Sequence, residues 1–250
     1  MNSNLIEYIF GIADNDLILG QRLGELCGHG VNIETDIALT NISLDLFGQV
    51  RSYYQYVAEL QGGNANEDTV AFLRKEHEYR NVLLCEQPNT DFAFVVARHF
   101  FFDVYHFMLM DRLQQSSDAT LAAIAAKAIK EVSYHQRFSS DWVRRLGDGT
   151  EESHQRMQNA LNELWVYTDE LFQPTEADKA MVAAGVGVDV LSFREAYLNR
   201  IAKVLDEATL TMPESQYFQY GGRSGRHTEH MGYILTEMQY MQRTYPDMTW

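Results

Sequence analysis

Four long stretches of this chain are rich in apolar residues, and in three of them these recur at steps of four and three. Only a helix turns that spacing into one continuous face. The first runs through Leu5, Ile9, Ile12, Asp16, Leu19, Leu23 and Leu26, with Asp16 its one polar member. Gly28 and Gly30 follow, as glycine does past a helix C-terminus. The second runs through Leu39, Ile42, Leu46, Val50, Tyr53, Val57 and Leu60, and Gly62-Gly63 closes it. Asp45 lies on the flank of that stripe, beside Ile42. The third, Phe92 to Leu113, is apolar almost all round, which marks a helix buried on several sides. Its polar residues His99, Asp103 and His106 are spaced i, i+4, i+7 and form one narrow seam. The fourth runs through Leu121, Ala125, Ala128, Val132, His135, Ser139, Trp142 and Leu146, and stops at Gly147 and Gly149.

Prolines occur only at positions 88, 174, 213 and 246, too sparse for the turns of a β-rich chain of 250 residues. Three further helices are expected at about 152–172, 189–208 and 228–243. Residues 62–91 break the pattern; a short helix from Glu67 to about Leu84 and a turn at Gln87-Pro88-Asn89 are expected there. Short loops make the first two long helices one antiparallel hairpin and the next two another. The long segment between them is then a crossover. The expected fold is all-α: a ferritin-like four-helix bundle over about 5–146, with C-terminal helices over about 152–243, in one domain spanning 1–250.

Charge narrows the partners. Acids outnumber bases 35 to 20, giving a net charge of −15, which repels phosphate backbones and anionic lipid head groups. Nucleic acid and membrane are therefore not expected as partners. No run of 18 apolar residues is present to span a bilayer. Met1-Asn2-Ser3-Asn4 lacks the basic residues and apolar core of a signal peptide. Cys27 and Cys85 stand apart without a CxxC partner and read as reduced thiols. A cytoplasmic protein is expected. Neither a G-x-S-x-G elbow, a Walker motif nor a G-x-G-x-x-G loop occurs, so nucleophilic hydrolysis and dinucleotide chemistry lack support.

A ferritin-like di-iron bundle needs a Glu on two helices and Glu-x-x-His on the other two, because i, i+3 places carboxylate and imidazole on one face. Here Asp16 and Asp103 fill the lone-acid places, Asp45 with Gly48 the first pair, and Val132 with His135 the second. Gly48 and Val132 cannot ligate metal, and each surviving acid is Asp, a methylene shorter than Glu. These six positions read as a degenerate metal site whose acids and imidazole enter hydrogen bonds or salt bridges. No catalytic residue and no metal is assigned to the chain. An active di-iron oxygenase in its own right is the alternative, with water or exogenous ligands replacing two protein ligands.

One segment departs from the acidic background. Gly221-Gly222-Arg223-Ser224-Gly225-Arg226-His227 is a basic loop leading into a helix N-terminus, where backbone N–H groups and the helix dipole favour an anion. Arg223 and Arg226 are candidates to contact a phosphorylated ligand or an acidic partner surface. The neighbouring His227, Glu229 and His230 suit capping or partner contact better than metal.

Five segments resemble the PaaC family, the structural subunits of the bacterial phenylacetyl-CoA epoxidase: RLGELCGH (22–29), DIALTNISLDLFGQVRSYYQYVAEL (36–60), NVLLCEQPNTDFA (81–93), AAIAAKAIKEVSYHQRFSSDWVRRLGDGT (122–150) and GGRSGRHTEHMGYILTEMQYMQR (221–243). The resemblance implies a ferritin-like subunit without a catalytic site, paired with a homologous catalytic subunit, PaaA, that holds the di-iron centre. It further implies ring epoxidation of phenylacetyl-CoA with O2, driven from NADPH through a reductase carrying FAD and iron–sulfur. On that reading this chain carries no cofactor of its own, and it works within a hetero-oligomer.

Overall fold

The computed structural model describes residues 2–246 and 248, so the outermost positions 1, 247, 249 and 250 of the expected domain lie outside the described residues. The α-helices are α1 (Asn2–Gly24), α2 (Ile33–Gln61), α3 (Glu67–Phe72), α4 (Leu83–Glu86), α5 (Phe92–Leu113), α6 (Ala119–Gly147), α7 (Glu151–Leu164), α8 (Glu176–Ala183), α9 (Arg194–Glu207) and α10 (Glu229–Thr244). No β-strand occurs among the described residues. The fold is all-α with ferritin-like connectivity: two helical hairpins joined by a long crossover, then the C-terminal helices. The chain forms two compact units, residues 1–88 with 221–250 and residues 89–220.

In the first unit α1 and α2 run antiparallel. Ser43 Oγ donates to Gly20 O, while further along Tyr54 packs edge-on against Phe10 at 6.2 Å. The turn between them is tied by Asp36, whose Oδ1 accepts N–H bonds from Gly28 and Gly30, and Gly28 adopts φ +84°. Asn32 caps α2 by accepting from Thr35 N–H. From Tyr8 through Gly20 every residue of α1 is buried, polar Asp14, Asn15 and Asp16 included. The single apolar face read from sequence is thus only part of what α1 buries.

The reason lies in the crossover. The continuous helix expected from Glu67 to about Leu84 stops at Phe72, followed by a 3-10 turn at Glu76–Glu78 and then α4, with Lys75, Tyr79 and Val82 extended. Buried backbone donors must find acceptors somewhere. Here α1 supplies them: Asp14 Oδ2 accepts from Arg80 N–H at 2.7 Å, and Asn15 Oδ1 accepts from Val82 N–H at 2.7 Å. Asp14 also pairs with the Arg74 guanidinium at 2.6 Å, which lies over the rings of Phe10 and Tyr79. Helical hydrogen bonding is replaced by side chains of a neighbouring helix.

The C-terminal segment closes the same unit. Gln239 Nε2 donates to Arg74 O and to Tyr79 OH, and Arg243 Nη2 donates to the carbonyls of Leu73 and Arg74. α10 is therefore pinned to the crossover backbone.

In the second unit Phe92 at the start of α5 meets Trp142 near the end of α6 at 4.9 Å, so this hairpin is antiparallel too. Asp91 caps α5 and Asp118 caps α6. Tyr105, Phe172, Phe193 and Tyr197 join α5, the segment after α7, and α9 through ring contacts of 5.0–5.8 Å. The helix expected over about 152–172 ends as α7 at Leu164 and continues through Phe172 as two 3-10 turns. α8 lies outside the expected helices, although Thr175-x-x-Asp178 is a capping box that announces it. α5 is long and apolar enough to cross a membrane, but most of it is buried within the folded chain, as in a core helix.

Candidate functional site

The first unit carries half of the expected metal positions. Asp16 is fully buried on α1. Burial, then the Asp16 charge, then the neighbouring Tyr8, pushes the Tyr53 hydroxyl well above its ordinary pKa. On α2 the two expected positions differ in burial. Asp45 is half-buried and Gly48 is exposed, with nothing within 4 Å of where a Cβ would stand. Leu46 and Gln49 are both buried. Asp45 and Gly48 each precede these by one residue, a rotation of roughly 100° towards solvent. Gly48 thus stands on the outer face of α2, and Asp45 at its margin.

The second unit carries the other half. His99, Asp103 and His106 on α5 and Val132 and His135 on α6 are all buried, and the polar seam read from spacing exists. His99 Nδ1 stands 3.6 Å from Asp103 Oδ1. Burial pulls the His99 imidazole below its ordinary pKa, against the hydrogen bond and charge of Asp103. Burial, then the nearby His135, drives His106 down to about 3. Neutral imidazoles suit metal binding, but Val132 stands fully buried one turn before His135, where a carboxylate would be required. Among the described residues no group of three or more His, Cys, Asp or Glu side chains is arranged to hold a metal ion. The donor set does not fit a di-iron centre.

The basic loop is built differently from its sequence reading. Arg223 turns inward, and its Nη1 donates to Gly11 O at 2.6 Å, packing over a residue whose missing Cβ leaves the room. Arg226 is exposed. The anion at the entrance to α10 comes from the chain itself. Glu86 Oε2 accepts from Thr228 N–H at 2.8 Å and from Thr228 Oγ1 at 2.6 Å. Its Oε1 accepts from Asn81 Nδ2 at 3.0 Å and faces His227 Nδ1. Burial pulls His227 down, but Glu86 and the Tyr79 carbonyl outweigh it and hold the imidazole above its ordinary pKa. His230 and Glu229 take no part in these bonds.

These two features, a buried polar seam on α5 with aliphatic Val132 on α6 and a C-terminal segment locked by Glu86, sit in a chain matched along its whole length. The phenylacetic acid catabolic protein family, PaaA_PaaC, matches residues 1–250. The chain belongs to that family. Within the phenylacetic acid catabolic proteins, a 1,2-phenylacetyl-CoA epoxidase subunit of Escherichia coli strain K12 is 49% identical over 248 residues, covering 99% of this chain and 100% of that protein. The segments that carried the resemblance thus belong to a full-length match. For this member of the phenylacetic acid catabolic family, Glu86 is not singled out by sequence analysis. Glu86 carries a signal, an acid directly after the apolar run Val82-Leu83-Leu84-Cys85.

Proposed function

We propose that this chain is the non-catalytic structural subunit of a multicomponent phenylacetyl-CoA ring-1,2-epoxidase in aerobic phenylacetate catabolism. It binds and supports a homologous catalytic subunit of the PaaA kind, within a cytoplasmic hetero-oligomer. The observation that carries this reading is the fully buried Val132 one turn before His135. Aliphatic carbon stands where ligation demands an oxygen, which removes the metal chemistry while keeping the bundle. Likeness to the Escherichia coli epoxidase subunit supports the assembly in which this takes place. Two homologous helical chains can bury an obligate interface above about 2,000 Å2, and a metal-free partner stiffens the helices that hold the metal.

Di-iron belongs in the catalytic partner, and FAD, iron–sulfur and NADPH in the reductase. Arg226, exposed where Arg223 is not, is the residue of the basic loop offered to an anion or an acidic partner surface. The test is metal analysis of the chain with and without its catalytic homologue, followed by turnover of phenylacetyl-CoA. The expected result is iron and turnover only with the homologue present, and stable co-purification of the two. About two irons per chain in the isolated protein would overturn the reading, as would separation of the pair in mild salt.

A further inference from the structure

The outer face of α2 has a composition that a solvated helix does not need. Ile33, Ile37, Asn41, Leu44, Gly48 and Arg51 recur at steps of four, four, three, four and three, so they share one narrow stripe. Every one of them is exposed, Ile33 at 70%, Ile37 at 53% and Leu44 at 61%. Large apolar side chains at seam spacing mark a face that another helix covers. Gly48 adds a notch, since nothing lies within 4 Å of its absent Cβ and a partner backbone can approach closely there. Asn41 in the middle of the seam fixes register, as a lone polar seam residue does. Beside the stripe opens a cavity of about 430 Å3 walled by Phe47, Val50, Tyr54, Ala71 and Phe72, with Arg51, Glu67 and Asp68 at its rim. That is room for more than one bulky apolar side chain from whatever lies along α2.

Charge selects the occupant. α2 carries Glu34, Asp36, Asp45 and Glu59 against one base, Arg51, which is itself 3.4 Å from Glu67. A twofold pairing of this chain with itself would oppose two such acidic faces on chains of net charge −15. We propose that the outer stripe of α2 docks an amphipathic helix of a different protein, one with an apolar seam, Lys or Arg on its flanks and large apolar side chains that enter the cavity. This rests on the reading of the chain as an assembly subunit, and it assigns that helix to the catalytic homologue.

The test compares the complete chain with Ile37→Glu and Leu44→Glu variants for binding to the co-expressed catalytic homologue. Tyr233→Glu, equally exposed on α10, is the control. Each stripe variant is expected to weaken the complex about tenfold or more, with the melting temperature of the free chain unchanged and the control binding normally. Affinity of the unaltered pair should fall as salt rises. Binding within twofold for both stripe variants, with the unaltered complex intact, overturns the docking face and leaves the assembly role standing. No complex with the unaltered chain overturns both. A concentration-dependent dimer of the isolated chain that Leu44→Glu abolishes overturns the choice of a different protein in favour of a second copy.

Discussion

His227 and Glu86 face each other across 2.5 Å with both side chains fully enclosed, joining the entrance of α10 to the end of the crossover. The second imidazole nitrogen lies 3.2 Å from the Tyr79 carbonyl, so both ring nitrogens face acceptors and the charged form is favoured. Asn81 and Thr228 complete the shell around Glu86, and Glu76 adds negative charge near the imidazole. The folded pKa of His227 is raised above 6.5. Its contribution to stability is therefore fully present below the unfolded value and is lost as pH rises through the raised pKa. Glu86→Gln should remove that alkaline loss and cost about 3 kcal/mol at pH 6, because the histidine loses its buried partner. Urea unfolding of both proteins across pH 6–9 (a range of roughly three units about the histidine value) checks it; identical slopes would contradict the pairing.

The histidines of the second unit act in the opposite sense. His106 is held down to about 3 by burial and by His135, against 6.5 when unfolded. Stability from this group is present above 6.5 and drains away as pH falls towards 3, because the unfolded chain binds a proton that the folded one refuses. His99 adds to the same loss. In that window each such histidine steepens the acid slope by up to about 1.4 kcal/mol per pH unit. His106→Gln should flatten the acid slope by one proton, measured as the pH dependence of unfolding free energy between pH 6 and pH 4, within the window the two pKa values bracket. An unchanged slope would mean that His106 is not buried neutral.

The long helices are legible in the sequence because period and punctuation agree: stripes at four and three, glycine at the ends, few prolines. The crossover is not legible, because its path is set by Asp14 and Asn15, more than sixty residues away in sequence. A local pattern cannot say that Arg80 and Val82 give their N–H groups to another helix. The candidate site is legible on α5 and α6, where the seam His99, Asp103 and His106 stands against an apolar background. On α2 the exposure of Gly48 is not legible, since Asp45 is the acid nearest the stripe and acids attract a reading as ligands. Only burial separates Asp45 and Gly48 from Leu46 and Gln49. The inward turn of Arg223 is not legible for a related reason: its acceptor, Gly11 O, is a backbone atom made reachable by an absent side chain.

Two glycines inside helices should respond with opposite signs. A Cβ on Gly11 would collide with the Arg223 guanidinium, so Gly11→Ala displaces that group and its bond to Gly11 O. Loss of that charged hydrogen bond outweighs the gain in helix propensity, for a net cost of about 1–2 kcal/mol. Gly48 meets nothing, so Gly48→Ala gains about 0.5–1 kcal/mol from propensity alone. Denaturant midpoints of the two variants should therefore move apart on either side of the parent. The Gly48 variant also reports on the notch in the α2 stripe, by weaker partner binding at higher intrinsic stability.

Val132→Glu tests whether one missing carboxylate is what separates this chain from a metalloprotein. The substitution places an acid one turn before His135 at a fully buried position. A buried carboxyl without a built partner shell stays protonated or forces open the packing, at a cost of about 2–4 kcal/mol. No metal offsets that cost, because one added carboxylate still leaves the donors short of the two Glu and two Glu-x-x-His that a di-iron bundle needs. The variant should unfold at lower urea than the parent, and iron per chain after anaerobic loading should stay at the parent's level. Stoichiometric iron in Val132→Glu alone would show that the remaining donors suffice, and that the degeneracy of this chain is one residue deep.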